Sequence, residues 1–186
     1  MPLLRGCAAL LVLALAGCAS APRAPPERSY SGRFVAAATS GEQRNSVSGL
    51  FIVEIRGSQQ LIELATPVGT TLARIEIEPG RARVTDGKLQ GLSGPNADGL
   101  VEQALGWPLP IGGLPYWLEG RPDPGRGGDL VRGADGGRQI EQDGWVIRIS
   151  ETSEAGRPRR LQLDRPAERD QPAVSLRLIV DEQQSP

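Results

Sequence analysis

A cysteine near the start of the chain has the setting that most clearly indicates chemistry. Cys18 ends the sequence Leu15-Ala16-Gly17-Cys18, which follows a positive charge at Arg5 and an apolar run from Cys7 to Ala16. The run is too short to span a bilayer as a stable helix and is typical of a signal peptide. A leucine three residues before a cysteine, with two small residues between them, predicts that the chain is cleaved before Cys18 and that its thiol receives diacylglycerol. The alternative is an ordinary secretory signal that happens to contain a cysteine.

This interpretation divides the chain into three parts. Residues 1–17 form a lipoprotein signal peptide, and residues 18–29 form a lipidated N-terminus with a small, proline-rich tether that has too little apolar surface to pack. Residues 30–186 form one domain, long enough for a core of its own. No later apolar run approaches transmembrane length, so we expect the protein to be anchored to a membrane by acyl chains.

The composition leaves few groups for catalysis. The sequence contains no histidine, which is the commonest general base and the commonest metal ligand. Acylation would remove the Cys18 thiol as a nucleophile, and the only lysine, Lys88, lies in a polar turn-like stretch. We therefore expect no enzymatic activity, no metal and no cofactor. The near balance of 21 basic and 22 acidic residues also argues against nucleic acid as a partner, because phosphate binding needs a concentrated positive face.

Alternation of apolar and polar residues dominates the domain and predicts strands with one buried face. In residues 51–56, for example, Phe51, Val53 and Ile55 alternate with more polar neighbours. Short spacers with glycine or proline separate such runs, as is typical of antiparallel hairpins. The pattern predicts a strongly curved sheet or barrel. Similar alternation occurs at 62–64, 73–77, 145–149, 161–163 and 174–180.

The strand pattern breaks in the middle of the chain. Asn96 is placed to cap a helix that Gly106 would end. A second short helix is predicted over about 112–119, and the glycine-rich stretch 120–137 is predicted to be a mobile surface loop. The apolar side of the first helix would consist of Leu100, Val101, Ala104 and Leu105.

Short stretches of the chain, in their order and spacing, match a known family. They are Leu15-Ala16-Gly17-Cys18, Gly32-Arg33-Phe34, Ser48-Gly49-Leu50-Phe51, the run from Leu64 to Thr70, Gly106-Trp107-Pro108-Leu109-Pro110, the run from Leu114 to Pro122, Gln142-Asp143-Gly144-Trp145, and Pro158 with Leu161-Gln162-Leu163. With them, the chain resembles the LolB family, outer-membrane lipoproteins that receive other lipoproteins from the periplasmic carrier LolA in Gram-negative bacteria. Ala19 suits sorting to the outer membrane.

The resemblance implies a fold and a function. The fold is mainly β (α+β), an incomplete antiparallel β-barrel, or half-barrel, covered by short helices that enclose an apolar cavity. The function is to accept lipoproteins from LolA, to shelter their acyl chains in that cavity and to insert them into the outer membrane. The protein would act as a monomer, lipid-anchored to the inner leaflet of the outer membrane with its domain facing the periplasm. An alternative is a generic envelope lipoprotein that serves as a hydrophobic-ligand-binding or structural module.

Two sets of residues follow from this interpretation, besides the lipidation site at Cys18. The first set is inward-facing side chains nominated for the acyl-chain cavity, which are equally compatible with a packed core. The second is a membrane-insertion loop, Pro67-Val68-Gly69, where the family usually has leucine at the central position. Val68 could instead be tucked under the sheet. The cavity candidates are Phe51, Leu64, Ile75, Ile77, Trp117, Trp145 and Ile147.

Overall fold

The computed structural model describes residues 25–87, 90–134, 136–169 and 171–184. These residues form eleven strands and two short helices. The strands are β1 (Arg28–Ser40), β2 (Gln43–Arg56), β3 (Gln59–Ala65), β4 (Thr71–Glu78), β5 (Arg81–Gly87), β6 (Ser93–Gly94), β7 (Asp129–Arg132), β8 (Arg138–Gln142), β9 (Trp145–Thr152), β10 (Pro158–Arg165) and β11 (Ala173–Gln184), and the helices are α1 (Ala97–Leu105) and α2 (Leu114–Trp117). None of the described helices is long and apolar enough to cross a bilayer.

The strands form one antiparallel sheet in the order β6-β5-β4-β3-β2-β1-β11-β10-β9-β8-β7. Strands β6 and β7 are its two edges, so the sheet stays open. The chain between the edges, residues 95–128, carries both helices. The predicted fold class, a mainly β and incomplete antiparallel barrel with short helices, is confirmed.

The alternation in the sequence corresponds to the two faces of the sheet. In β2, Phe51, Val53 and Ile55 are buried, whereas Leu50 and Ile52 are exposed. Apolar side chains of the two helices belong to the same buried cluster as the inward side chains of the strands, and so does Leu118, which follows α2. The core therefore lies between the inner face of the sheet and the segment that carries the helices.

Helix α1 begins and ends where the sequence predicts. The Asn96 side chain accepts a hydrogen bond from the Gly99 backbone N–H at 2.8 Å, and Gly106 ends the helix in the left-handed region at a φ of 76°. The predicted apolar side is wrong at its far end, because Leu105 is exposed. The buried positions, which include Leu100, are spaced i, i+3 and i+4 from Ala97, and Leu105 lies past the last turn that packs on the core.

Two segments differ from the sequence prediction. The glycine-rich stretch 120–137 is not a loop throughout, because β7 lies within it and pairs with β8, Leu130 opposite Ile140. A four-residue edge strand is too short to show alternation, so only its pairing reveals it. The sheet also begins at Arg28, two residues before the expected start at Tyr30, and the backbone N–H of Glu27 donates to the carbonyl of Ile55 at 2.9 Å.

Candidate functional site

The loop between β3 and β4 is a tightly hydrogen-bonded turn. The Thr66 N–H donates to the carbonyl of Thr70 at 2.8 Å, and the Gly69 N–H donates to the carbonyl of Thr66 at 2.9 Å. The Thr70 N–H also donates to Thr66 Oγ1 at 3.0 Å. Gly69 has a φ of +88°, a conformation that glycine adopts at little cost, and Pro67 fixes its own φ. These constraints hold Val68 at the tip, where 89% of its surface is exposed.

An equivalent turn between β9 and β10 shows what is unusual about Val68. Ser153 and Arg157 make the same backbone hydrogen bond, at 2.8 Å, and Gly156 again closes the turn, with a φ of +74°. The position that corresponds to Val68 is Ala155, which is also exposed but presents a single methyl group. The alternative that Val68 is tucked under the sheet is therefore excluded, and its role as a membrane-insertion residue remains a prediction.

A cavity of about 560 Å³ opens between the sheet and the helices. Its sheet side is formed by the β2–β3 and β4–β5 turns, and its other side by the start of α1 and by α2. Ile55 and Ile77 contribute aliphatic surface, whereas Arg28, Glu119 and Arg121 contribute charges. The volume lies within the roughly 300–1,000 Å³ of typical ligand pockets. We call this cavity the mouth.

The residues nominated for an acyl-chain cavity lie in three places. Ile77 is half-buried and lines the mouth. Trp117 and Trp145 are buried and line a second cavity of about 190 Å³, beside Leu109 and Pro110. The other four line neither cavity: three are fully buried in the core and one packs against it while half-buried. Those four are Phe51, Ile75, Ile147 and the half-buried Leu64.

Trp117 is fixed in place by the buried Gln142, which the sequence indicated only as part of a family motif and not as a site residue. The Trp117 indole N–H donates to Gln142 Oε1 at 3.0 Å, and the same oxygen accepts the Asp123 N–H at 2.9 Å. Gln142 Nε2 donates to the carbonyls of Asp123 and Gly127 at 2.9 and 3.0 Å. The indole ring packs so closely on Gly113 that a Cβ there would lie 2.5 Å from it. The position of Gln142 in the sequence was the available signal. Gln142 lies two residues after Ile140, so in a strand it faces inward like Ile140 although it is polar.

Arg126 lies between the two cavities and lines both. Its Nη1 is 2.6 Å from Asp98 Oδ2 and 3.2 Å from Asp143 Oδ2, and its Nε is 3.2 Å from Asp123 Oδ2. Burial opposes the charge of Arg126, but the hydrogen bonds and charges of Asp98 and Asp143 outweigh it and raise the pKa of the guanidinium. Because Asp98 also accepts the Gly112 N–H at 2.7 Å, this cluster joins α1, the chain before α2 and the β8–β9 turn.

Charged groups also surround Glu119 at the mouth. Arg28 forms an ion pair with Glu119, Arg121 Nε lies 2.6 Å from Glu119 Oε2, and the Tyr30 hydroxyl donates to Glu119 Oε1 at 3.4 Å. The Arg121 guanidinium stacks 4.7 Å from the centre of the Tyr116 ring. Burial raises the pKa of Tyr30, and nearby arginines offset this only in part. The mouth thus combines an aliphatic floor with a charged, hydrogen-bonding rim.

The mouth and the Val68 turn lie at opposite ends of β3. Gln60 lines the mouth, and Ala65 ends the strand just before the turn. Gln60 and Ala65 are five residue steps apart along the strand, or about 17 Å at about 3.4 Å per residue. The arrangement suits an elongated ligand with one polar end, and it separates the opening from the exposed apolar tip. Cys18 lies outside the described residues.

Three comparisons show which known proteins the chain is similar to. A sequence profile described as "Outer membrane lipoprotein LolB" matches residues 27–182. The outer-membrane lipoprotein LolB of Bordetella petrii is 42% identical over 158 residues, which cover 80% of this chain and 79% of the relative. That of Cupriavidus pinatubonensis is 33% identical over 191 residues, which cover 94% and 91%. A crystal structure of a LolA superfamily protein from Nitrosomonas europaea aligns with a TM-score of 0.49 and 9% identity, covering 87% of each chain.

Proposed function

Because the chain belongs to the LolB family of outer-membrane lipoproteins, we propose that it accepts lipoproteins from the periplasmic carrier LolA and inserts them into the outer membrane. Cys18 is the lipidated residue that anchors it there. The structural observation that supports the proposal most directly is the Val68 turn. A rigid loop that holds an aliphatic side chain in water suits a partner without a defined shape, such as a bilayer.

In this proposal, acyl chains enter through the mouth. They pass Ile55 and Ile77 on the aliphatic floor, while Arg28 and Arg121 at the rim hydrogen-bond the ester and peptide carbonyls near the lipidated cysteine of the cargo. Chains longer than the mouth displace side chains of the neighbouring core, which is where the nominated aliphatic residues lie. The tryptophans are less able to move, because Trp117 is held by Gln142.

The binding must be partial. Burying three chains of about fifteen methylenes completely, at about 0.8 kcal/mol each, would release about 36 kcal/mol, well above the roughly 21 kcal/mol at which non-covalent affinities saturate. Opening the packed core costs free energy and offsets part of this gain. Transfer makes and breaks no covalent bond. Its direction needs only a small difference in affinity, because each 1.4 kcal/mol in favour of the receiver shifts the equilibrium about tenfold.

The decisive test separates acceptance from delivery. A radiolabelled lipoprotein is transferred from purified LolA to the chain beginning at Ala19, and then to liposomes. We expect Val68→Glu to leave acceptance unchanged and to lower delivery about tenfold or more, because a charged tip is unfavourable in the acyl region of a bilayer.

Ala155→Glu is the matched control, because it places the same charge in an equivalent turn. It should change neither step. Delivery that is unchanged by Val68→Glu would remove Val68 from the site. Failure of the unaltered chain to accept cargo would overturn the proposed function and favour a generic envelope lipoprotein.

A further inference from the structure

Exposed aliphatic side chains on the outer face of the sheet form a strip next to the Val68 turn. Val35, Leu50 and Ile52 are 47%, 38% and 40% exposed, respectively, although they lie on the central strands β1 and β2. Leu50 is paired with Ala65, the last residue of β3 before the turn. Directly paired residues have Cβ atoms about 5 Å apart on one face of a sheet. We call Val35, Leu50 and Ile52 the outer strip.

We propose that the outer strip is a second membrane-contact surface, which lies on the phospholipid headgroup and acyl boundary while Val68 inserts. This inference rests on the proposed function, since it assumes that the Val68 turn meets the bilayer. Leu50 is paired with Ala65, which lies three residues before Val68, so the strip lies beside the strand that leads into the loop. One bilayer plane can therefore contact both.

The size of the strip favours lipid over a second protein. Stable protein interfaces bury about 800 Å² on each partner. Three side chains that are each less than half exposed offer much less than that. A lipid surface needs no matching shape, and its contact with the strip adds to the insertion of Val68 and to the acyl anchor.

The charges beside the strip also fit a phospholipid surface that contains zwitterionic and anionic headgroups. Arg33, which is paired with Leu50, forms a two-point ion pair with Asp181, with N–O distances of 2.9 and 3.1 Å. Glu63, which is paired with Ile52, is 2.6 Å from Arg74. Both charges are balanced within the protein, so contact with lipid leaves neither of them without a counter-charge. Arg177, which is paired with Val35 and exposed, donates to Gln162 Oε1 at 3.2 Å and adds a positive charge that suits anionic phospholipid headgroups.

The sequence permits a site-specific test on the mature, lipidated protein. Cysteines occur only at positions 7 and 18, and after cleavage and acylation neither provides a free thiol. Single variants Leu50→Cys, Ile52→Cys and Leu130→Cys are therefore labelled selectively with a small fluorophore. Leu130 is the matched control, because it is a leucine with 53% exposure on the far edge strand β7.

The labelled proteins are anchored in vesicles of phosphatidylethanolamine and phosphatidylglycerol. We expect headgroup spin-labelled lipid to quench labels at positions 50 and 52, and these labels to lose most of their quenching by aqueous iodide. The label at position 130 should show the opposite behaviour. Equal quenching at all three positions, or protection of 50 and 52 by added LolA or by a second copy instead of lipid, overturns the inference.

A functional measurement keeps this inference separate from the proposed function. The double variant Leu50→Thr with Ile52→Thr retains strand-forming residues and should slow delivery to the same vesicles on the order of tenfold. Leu130→Thr should not slow delivery. If the unaltered protein delivers cargo but the double variant delivers equally well, only the outer strip is excluded. If the unaltered protein delivers nothing, the proposed function itself fails.

Discussion

Two residues in turns of the same backbone structure, Val68 and Ala155, differ in the side chain that they expose. Val68 and Ala155 occupy the same position of equivalent turns at opposite ends of the sheet, so the backbone explains the exposure of both. The chemistry of the side chain distinguishes them. An isopropyl group at such a tip gains nothing in water, and turns favour glycine, proline, asparagine, aspartate and serine. This contrast is the reason for using the two positions as a matched pair.

Tyr30 gives a prediction for the dependence of stability on pH. Burial raises its pKa in the folded protein above the unfolded value of about 10. The folded state then binds more protons than the unfolded state above that pH, so the contribution of Tyr30 to stability is complete below pH 10 and is lost as the pH rises through the folded pKa. We expect Tyr30→Phe to lose less free energy of unfolding than the parent between pH 8 and pH 11. Urea unfolding at both pH values measures this, and an equal loss in parent and variant would contradict it.

At the scale of elements, strand β8 shows how one inward polar residue organises its surroundings. Replacing Gln142 with leucine would leave the Trp117 indole N–H and the backbone of Asp123 without their buried partners. Each lost partner costs about 1–3 kcal/mol. We expect Gln142→Leu to lower the free energy of unfolding by about 2–4 kcal/mol, measured by urea denaturation. Gln139→Leu is the control, because the Gln139 side chain bonds to Glu141 on the outer face and its loss should cost under about 1 kcal/mol.

Most strands and helix α1 could be predicted because their residue pattern is visible in a short stretch of sequence. Alternation in β2 reflects burial on one face, and the caps of α1 reflect backbone groups at helix ends that need partners. Strand β7 could not be predicted, because four residues carry too little pattern and the strand exists only through its pairing with β8. Gln142 could have been found as an inward polar position, but its three partners come from a distant segment that the sequence does not place beside it.

At the scale of the whole molecule, the sequence could not decide between a hollow and a packed interior. Phe51, Ile75 and Ile147 face inward as predicted, and aliphatic side chains are the same in a filled core as in a cavity wall. Only the spatial arrangement shows that the interior is packed at these residues and open at the mouth. The separation of the mouth from the Val68 turn also depends on the spatial arrangement. The β2–β3 turn and the β3–β4 turn lie at opposite ends of the sheet because neighbouring strands are antiparallel.

This separation predicts that acceptance and delivery can be disrupted independently. Ile77 lies on the floor of the mouth, and Leu72 is a half-buried aliphatic residue at the other end of β4. We expect Ile77→Ser to weaken acceptance of a lipoprotein from LolA on the order of tenfold, because acyl chains lose part of their apolar contact there. The fraction of cargo that is accepted should reach liposomes at the parent rate, because the Val68 turn is unchanged. Leu72→Ser should leave acceptance within about twofold of the parent, since substitutions away from a binding surface cost little affinity. Equal acceptance by Ile77→Ser and the parent would place the entrance for acyl chains elsewhere on the molecule.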